Sequence, residues 1–145
     1  MNENPTTTSS NKHELAIIDL PQIGKPEEGY ISVAEINHTV PFIIKRVYWT
    51  YYTPHHIIRG RHAHKSLYQI IIAVSGIIEI ATEDRNRKKK SFILDSPNKG
   101  LLLPPHYWHT MQFSHNAVLL SLCSMEYDES DYIRSYEEFI HGNNS

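Results

Sequence analysis

The chain carries a single cysteine, Cys123. One cysteine excludes a disulfide framework within the chain. Its place behind Ala117-Val118-Leu119-Leu120-Ser121-Leu122 marks it as a small buried hydrophobe and not a nucleophile. No apolar run is long enough to span a bilayer as a helix. The N-terminus lacks a basic stretch followed by an apolar one, so no secretory leader is expected and the protein reads as cytoplasmic. Net charge is −2, which gives no long-range attraction to nucleic acid or to a membrane surface. The one basic cluster, Arg85 to Lys90, has no second basic segment to extend it. It reads as a solvated hairpin tip. No internal repeat is found.

What remains is an ordinary globular composition, 40% hydrophobic and 21% charged over 145 residues, consistent with one domain able to bury a core without staples. Residues 1–13 are polar and read as a disordered tail. From Glu14 to Tyr127 short apolar and β-branched runs alternate with turn residues: Leu15–Ile18, Tyr30–Glu35, Phe42–Tyr52, Arg61–Val74, Ile77–Thr82, Ser91–Leu94, Gly100–Leu103, His109–Phe113 and Val118–Cys123. About nine short strands at this spacing predict an all-β barrel or two-sheet jelly roll. In the segment 128–145, Tyr132, Ile133, Tyr136, Phe139 and Ile140 fall at helical spacing behind acids and Ser. This predicts a capped amphipathic helix from Asp128 to Ile140, packed on the barrel.

Ten histidines is a high count for this length, and they cluster. In Arg59-Gly60-Arg61-His62-Ala63-His64-Lys65 two histidines are spaced i, i+2. A strand puts both on one face, roughly 7 Å apart. On the inside of a barrel such a pair is either a metal site or a proton-transfer site. Gln69 follows, then Gly76, and later Pro104-Pro105-His106-Tyr107-Trp108-His109. This order resembles the two motifs of the cupin superfamily, whose His-x-His, Glu and distant His converge inside a jelly roll and usually hold a divalent metal. Here Gln69 stands where metal-binding cupins have Glu, and an amide is a poor ligand beside a carboxylate. A three-histidine site of His62, His64 and His109 with open positions stays possible, but the odds move toward a metal-free pocket.

Further motifs narrow the resemblance. Pro41-Phe42-x-Ile44-Lys45-Arg46-Val47-Tyr48, Arg59-Gly60-x-His62-Ala63-His64-Lys65, Leu94-Asp95-Ser96-Pro97, Gly100-Leu101, Trp108-His109-x-Met111 and Tyr127-Asp128-x-x-Asp131-Tyr132-Ile133-Arg134-x-Tyr136-x-x-Phe139 together resemble the sugar-nucleotide 3,4-ketoisomerases. The likeness runs from about Glu35 to Ile140. It implies a cupin jelly roll, no metal or other cofactor, a homodimer with exchanged strands, and a nucleotide-linked 4-keto-6-deoxyhexose, commonly on dTDP, as substrate. The keto group moves from C4 to C3, and the product feeds deoxyamino-sugar and polysaccharide biosynthesis.

On that reading His62 is the carbon acid/base, because a group titrating near neutrality suits the task. His64 handles the oxygens, and Tyr48 assists from the preceding strand. Arg59, Gln69 and His109 are candidates to stabilise the enediolate. Arg46 and Lys65 are the expected diphosphate contacts, and Trp108 a stacking partner. Trp49 reads as core or interface. One motif departs. The family commonly has Asp-x-Arg-Gly before this region, and the arginine position here holds Glu28, which would repel a diphosphate at close range. A different carrier, a changed sugar or a non-catalytic nucleotide-sugar-binding cupin therefore stands beside the isomerase. A metal-dependent, dioxygenase-like three-histidine cupin is the other alternative.

Overall fold

The run Ile70-Ile71-Ile72-Ala73-Val74 has no polar alternation, as expected of a strand covered on both faces. The computed structural model, which describes residues 13–142, bears this out for Ile70 to Ala73, while Val74 is exposed. The polar tail predicted over 1–13 lies, apart from His13, outside the described residues.

The strands are β1 (Ala16–Asp19), β2 (Gln22–Lys25), β3 (Gly29–Ser32), β4 (Arg46–Thr50), β5 (Ile58–His64), β6 (Gln69–Ser75), β7 (Ile78–Glu83), β8 (Lys89–Leu94), β9 (Lys99–Leu103), β10 (Trp108–Phe113), β11 (Val118–Cys123) and β12 (Tyr132–Ile133). A 3₁₀ turn (Glu129–Asp131) precedes β12, and one helix, α1 (Tyr136–His141), follows it. Two five-stranded sheets form, β1-β9-β6-β11-β4 and β12-β5-β10-β7-β8, with β2-β3 a separate hairpin. All the named pairings are antiparallel.

Between the sheets lies an apolar core of Ile71, Leu101, Leu103 and Leu119 from the first and Ile78, Ile80, Leu94, Met111 and Phe113 from the second. Each such side chain contributes about 1.5–3 kcal/mol on burial. The other face of the first sheet is covered as well. Ile70, Ile72, Leu102 and Leu122 pack beneath Leu20, Val40, Phe42 and Ile44. The segment predicted as one long strand from Phe42 to Tyr52 therefore divides. Phe42 and Ile44 lie over the sheet, and only Arg46–Thr50 pairs with β11.

The C-terminal segment also departs from its sequence pattern. Residues 132 and 133 are extended, with Tyr132 opposite His64 and Ile133 opposite Ala63. Helix starts only at Tyr136, behind Ser135, whose Oγ accepts the Glu138 N–H at 3.3 Å. The unpaired edge of β5 offers backbone hydrogen bonds that an isolated helical turn cannot match, so the edge captures this stretch. Phe139, fully buried, closes the cluster with Ala63 and Ile133.

Candidate active site

A break in the β5–β10 register builds the site. His62 lies opposite His109 and Gly60 opposite Thr110, so Arg61 is an extra residue on β5. Gly60 and Arg61 take φ of +88° and +60°, a bulge that locally re-aims the strand. Before it, Arg59 shares the inward side of Met111. Unbroken alternation would continue that side through 61 and 63 and turn both histidines outward. The bulge puts His62 and His64 inside. A side chain at Gly60 would meet the His109 carbonyl oxygen at 2.8 Å, so this position requires glycine both for its φ and for its space.

Three histidines meet at the polar end of the barrel. The rings of His62 and His109 are 4.6 Å apart, those of His62 and His64 4.9 Å, and those of His64 and His109 6.1 Å. One nitrogen from each lies within 4.8 Å of the others. His109 is fixed by an Nδ1–H donated to the Tyr107 carbonyl at 3.1 Å. His64 is fixed on its backbone by β12 and by the His106 N–H, which donates to its carbonyl at 2.8 Å. Its Nδ1 lies 3.2 Å from a carboxylate oxygen of Asp131. His62 Nδ1 is buried with no hydrogen-bond partner among the described residues.

All three imidazoles are held neutral. Burial, then the neighbouring His62, Arg46 and Arg134, push His64 from 6.5 down to about 3. Burial and His62 push His109 to about 3, against the Tyr107 carbonyl, with His64 adding to the shift. His62 is lowered too, chiefly by burial and further by Arg134, with the Gly60 backbone and Glu129 acting the other way. Protonating His62 or His109 would place a cation among neutral rings in a buried cluster, whereas His64 has the Asp131 carboxylate beside its Nδ1.

The remaining residues join from the other sheet. On β4, Arg46, Tyr48 and Thr50 lie opposite Cys123, Ser121 and Leu119, on the inner face. Gln69 Oε1 accepts from Ser121 Oγ at 3.0 Å and from Tyr48 Oη at 3.3 Å. Burial pushes the Tyr48 phenol up, so it stays a neutral donor. The Arg46 guanidinium stands 5.6 Å from the rings of both Tyr48 and Tyr127, and its Nε is buried without a hydrogen-bond partner among the described residues. Tyr132 packs on His62 and His64 at 5.0 and 4.5 Å, and Arg134 lies over the Tyr132 ring at 4.2 Å.

Of the residues expected from sequence, the structure brings together His62, His64, His109, Gln69, Tyr48 and Arg46. Arg59 is exposed, on the inward side of β5 beyond the bulge. The Lys65 side chain is exposed, its N–H donating to the Asp131 carbonyl. Trp108 is not part of the cluster. It alternates outward from His109 and stacks against Tyr136 and Phe139 of the helix region. Glu28 sits on the exposed β2–β3 turn, 3.2 Å from Lys25 Nζ. Asp131, Tyr132 and Arg134 were expected in a helix and instead border the site. Their signal was Asp131 standing directly before the apolar pair Tyr132-Ile133.

Metal-binding cupins supply a carboxylate at the position of Gln69. The amide oxygen here is already taken by two hydroxyl donors, and Asp131 is engaged with backbone N–H groups. The donor set does not fit that four-ligand pattern.

Residues 13–144 match the family described as FdtA: WxcM-like, C-terminal. The chain belongs to this family. It is 41% identical over 112 residues to a TDP-4-oxo-6-deoxy-alpha-D-glucose-3,4-oxoisomerase of Aneurinibacillus thermoaerophilus, spanning 77% of this chain and 80% of that one. The sugar 3,4-ketoisomerase QdtA of Thermoanaerobacterium thermosaccharolyticum, crystallised with TDP, superposes with a TM-score of 0.83 at 36% identity, covering 87% of this chain and 91% of that one. The TDP-quinovose 3,4-ketoisomerase WlaRB of Campylobacter jejuni does so at 0.83 and 38%, covering 88% and 98%. The jelly roll of these isomerases is the fold of this family member.

Proposed function

We propose that this chain is a metal-independent isomerase of a nucleotide-linked 4-keto-6-deoxyhexose, moving the keto group between C4 and C3. The observation that carries the reading is a cluster of three neutral histidines inside a jelly roll, in a chain 41% identical to a TDP-sugar 3,4-oxoisomerase. A TDP carrier fits the family's named members, and Arg46, with an unused buried donor beside the cluster, suits a diphosphate oxygen.

The residues divide the chemistry. His62 takes the C3 proton, the C–H electrons form the C3=C4 bond, and the carbonyl electrons move onto O4. The proton on O3 passes through His64 to O4. The O3 electrons then form the new carbonyl, and C4 takes back a proton from His62. No atom or electron is gained or lost. Tyr48, Gln69 and His109 surround the developing negative charge. Neutral imidazoles suit this work, because a base must begin unprotonated.

A homodimer belongs to the same proposal. The β2–β3 hairpin exposes Ile23, Tyr30 and Ile31, and β4 exposes Val47 and Trp49. Large apolar side chains exposed in this number favour a partner, and exchanged N-terminal strands would cover them. Sedimentation velocity reads the state directly, and a monomer at micromolar concentration would refute it. We place the enzyme in the cytoplasm, where its nucleotide-linked substrate is made, ahead of an aminotransfer step in polysaccharide biosynthesis.

Proton NMR with dTDP-4-keto-6-deoxyglucose in D₂O, with and without EDTA, tests the activity. Deuterium should enter at C3 and the 3-keto sugar should form whether or not chelator is present. Absence of both would overturn this substrate assignment, and loss of both on chelation would overturn metal independence.

A further inference from the structure

Asp131 is a buried carboxylate, 7% exposed, that the reaction above leaves without a task. Its Oδ1 accepts the Ser66 N–H at 2.8 Å, and its Oδ2 accepts the Leu67 N–H at 3.3 Å. The same Oδ2 lies 3.2 Å from His64 Nδ1. Its own carbonyl accepts the Lys65 N–H at 2.9 Å. The residue thus binds the chain on both sides of the base it touches. Two backbone donors aim the carboxylate, so it cannot swing away from the ring. With only acceptor oxygens toward His64, it requires that Nδ1 carry the hydrogen. The lone pair then lies on Nε2, the nitrogen left free for the histidine cluster.

We propose that Asp131 is a positioning residue for the isomerisation: it pins His64 as the Nδ1–H tautomer, so that Nε2 accepts the O3 proton and delivers it to O4. This rests on the ketoisomerase reading. It adds a residue from the C-terminal segment to the machinery, brought to His64 by the pairing that sets Tyr132 opposite it. Among the described residues no carboxylate orients His62 in this way, its Nδ1 having no hydrogen-bond partner there. The two histidines therefore differ in kind. His64 is locked for one direction of proton acceptance, while His62 keeps the freedom to serve two carbons in turn.

Asp131→Asn separates these roles. An amide NH₂ presented to Nδ1 favours the opposite tautomer and puts hydrogen on Nε2. Turnover should fall about 10²–10³-fold, within the range that general acid–base catalysis supplies, with little change in KM. Deuterium exchange at C3, which needs His62, should persist. Asp131→Glu, which keeps the carboxylate, should recover part of the turnover. Long-range ¹H–¹⁵N spectra of the wild-type enzyme should show His64 protonated on Nδ1, and this needs no variant to fold. Wild-type turnover in Asp131→Asn, exchange and isomerisation lost together, or a wild-type His64 protonated on Nε2 would each overturn the proposal. A wild-type enzyme that neither exchanges nor isomerises would instead overturn the substrate reading on which it rests.

Discussion

On the proposed reading, the side chain at position 69 is what keeps the histidine cluster for proton transfer and not for a metal. Gln69 is 2% exposed and offers its oxygen to Tyr48 and Ser121, not to the histidines. A carboxylate there would carry charge into a buried site and attract either a proton or a divalent cation. Gln69→Glu should therefore bind Zn²⁺ or Ni²⁺ at least ~10-fold more tightly than wild type, as three imidazoles and a carboxylate form a common metal set. It should also slow isomerisation, because a bound cation would occupy the nitrogens that move protons. Calorimetric titration with metal, beside turnover, reads both. Unchanged metal affinity would show that Gln69 is not what keeps the site for proton transfer. The identities of His62, His64, Gln69 and His109 were legible because their spacing survives in one dimension. Asp131 was not, because its partners are 64 to 67 residues away in the chain.

Among the elements, β5 and β12 decide the site. The i, i+2 rule correctly put His62 and His64 on one face but could not say which face. The bulge at Gly60-Arg61 makes that choice. Gly60→Ala places a side chain 2.8 Å from the His109 carbonyl oxygen, at a φ of +88°. It should destabilise the fold by about 1–3 kcal/mol and lower turnover by ~10²-fold or more through displacement of His62. Denaturant unfolding and kinetics would check this, and wild-type turnover in a folded Gly60→Ala would refute the bulge as the device that aims the histidine. β12 was hidden for a different reason. Tyr132, Ile133, Tyr136 and Phe139 satisfy a helical period, but the backbone of Tyr132 and Ile133 has a sheet edge to complete, and that interaction is non-local.

For the molecule as a whole, neutral buried histidines couple the site to stability. In the unfolded chain His64 and His109 titrate near 6.5, whereas in the fold both are lowered to about 3. The unfolded state therefore binds more protons below pH 6.5, and stability rises with pH through that window. It should be complete above about pH 6.5 and decline as pH falls toward 3, by roughly 1 kcal/mol per pH unit for His109 and by less for His64, which has the Asp131 carboxylate beside it. Urea unfolding at pH 7, 5.5 and 4.5 would measure it, and a flat profile would mean that these imidazoles are not held neutral. On the proposed mechanism activity should follow the same sign, since His62 would have to be unprotonated to begin.

By itself the sequence determined the β-class, from its short alternating runs. It determined an apolar strand at Ile70–Val74 and the set of residue types at the site, from motif spacing. Those are local properties, written in period and order. The tertiary structure alone decided which way the His-x-His pair faces, that Trp108 stacks on the helix and not in the barrel, and that Asp131 reaches His64. Each depends on a register or an edge pairing between strands far apart in the chain, where backbone hydrogen bonding and burial outweigh local preference.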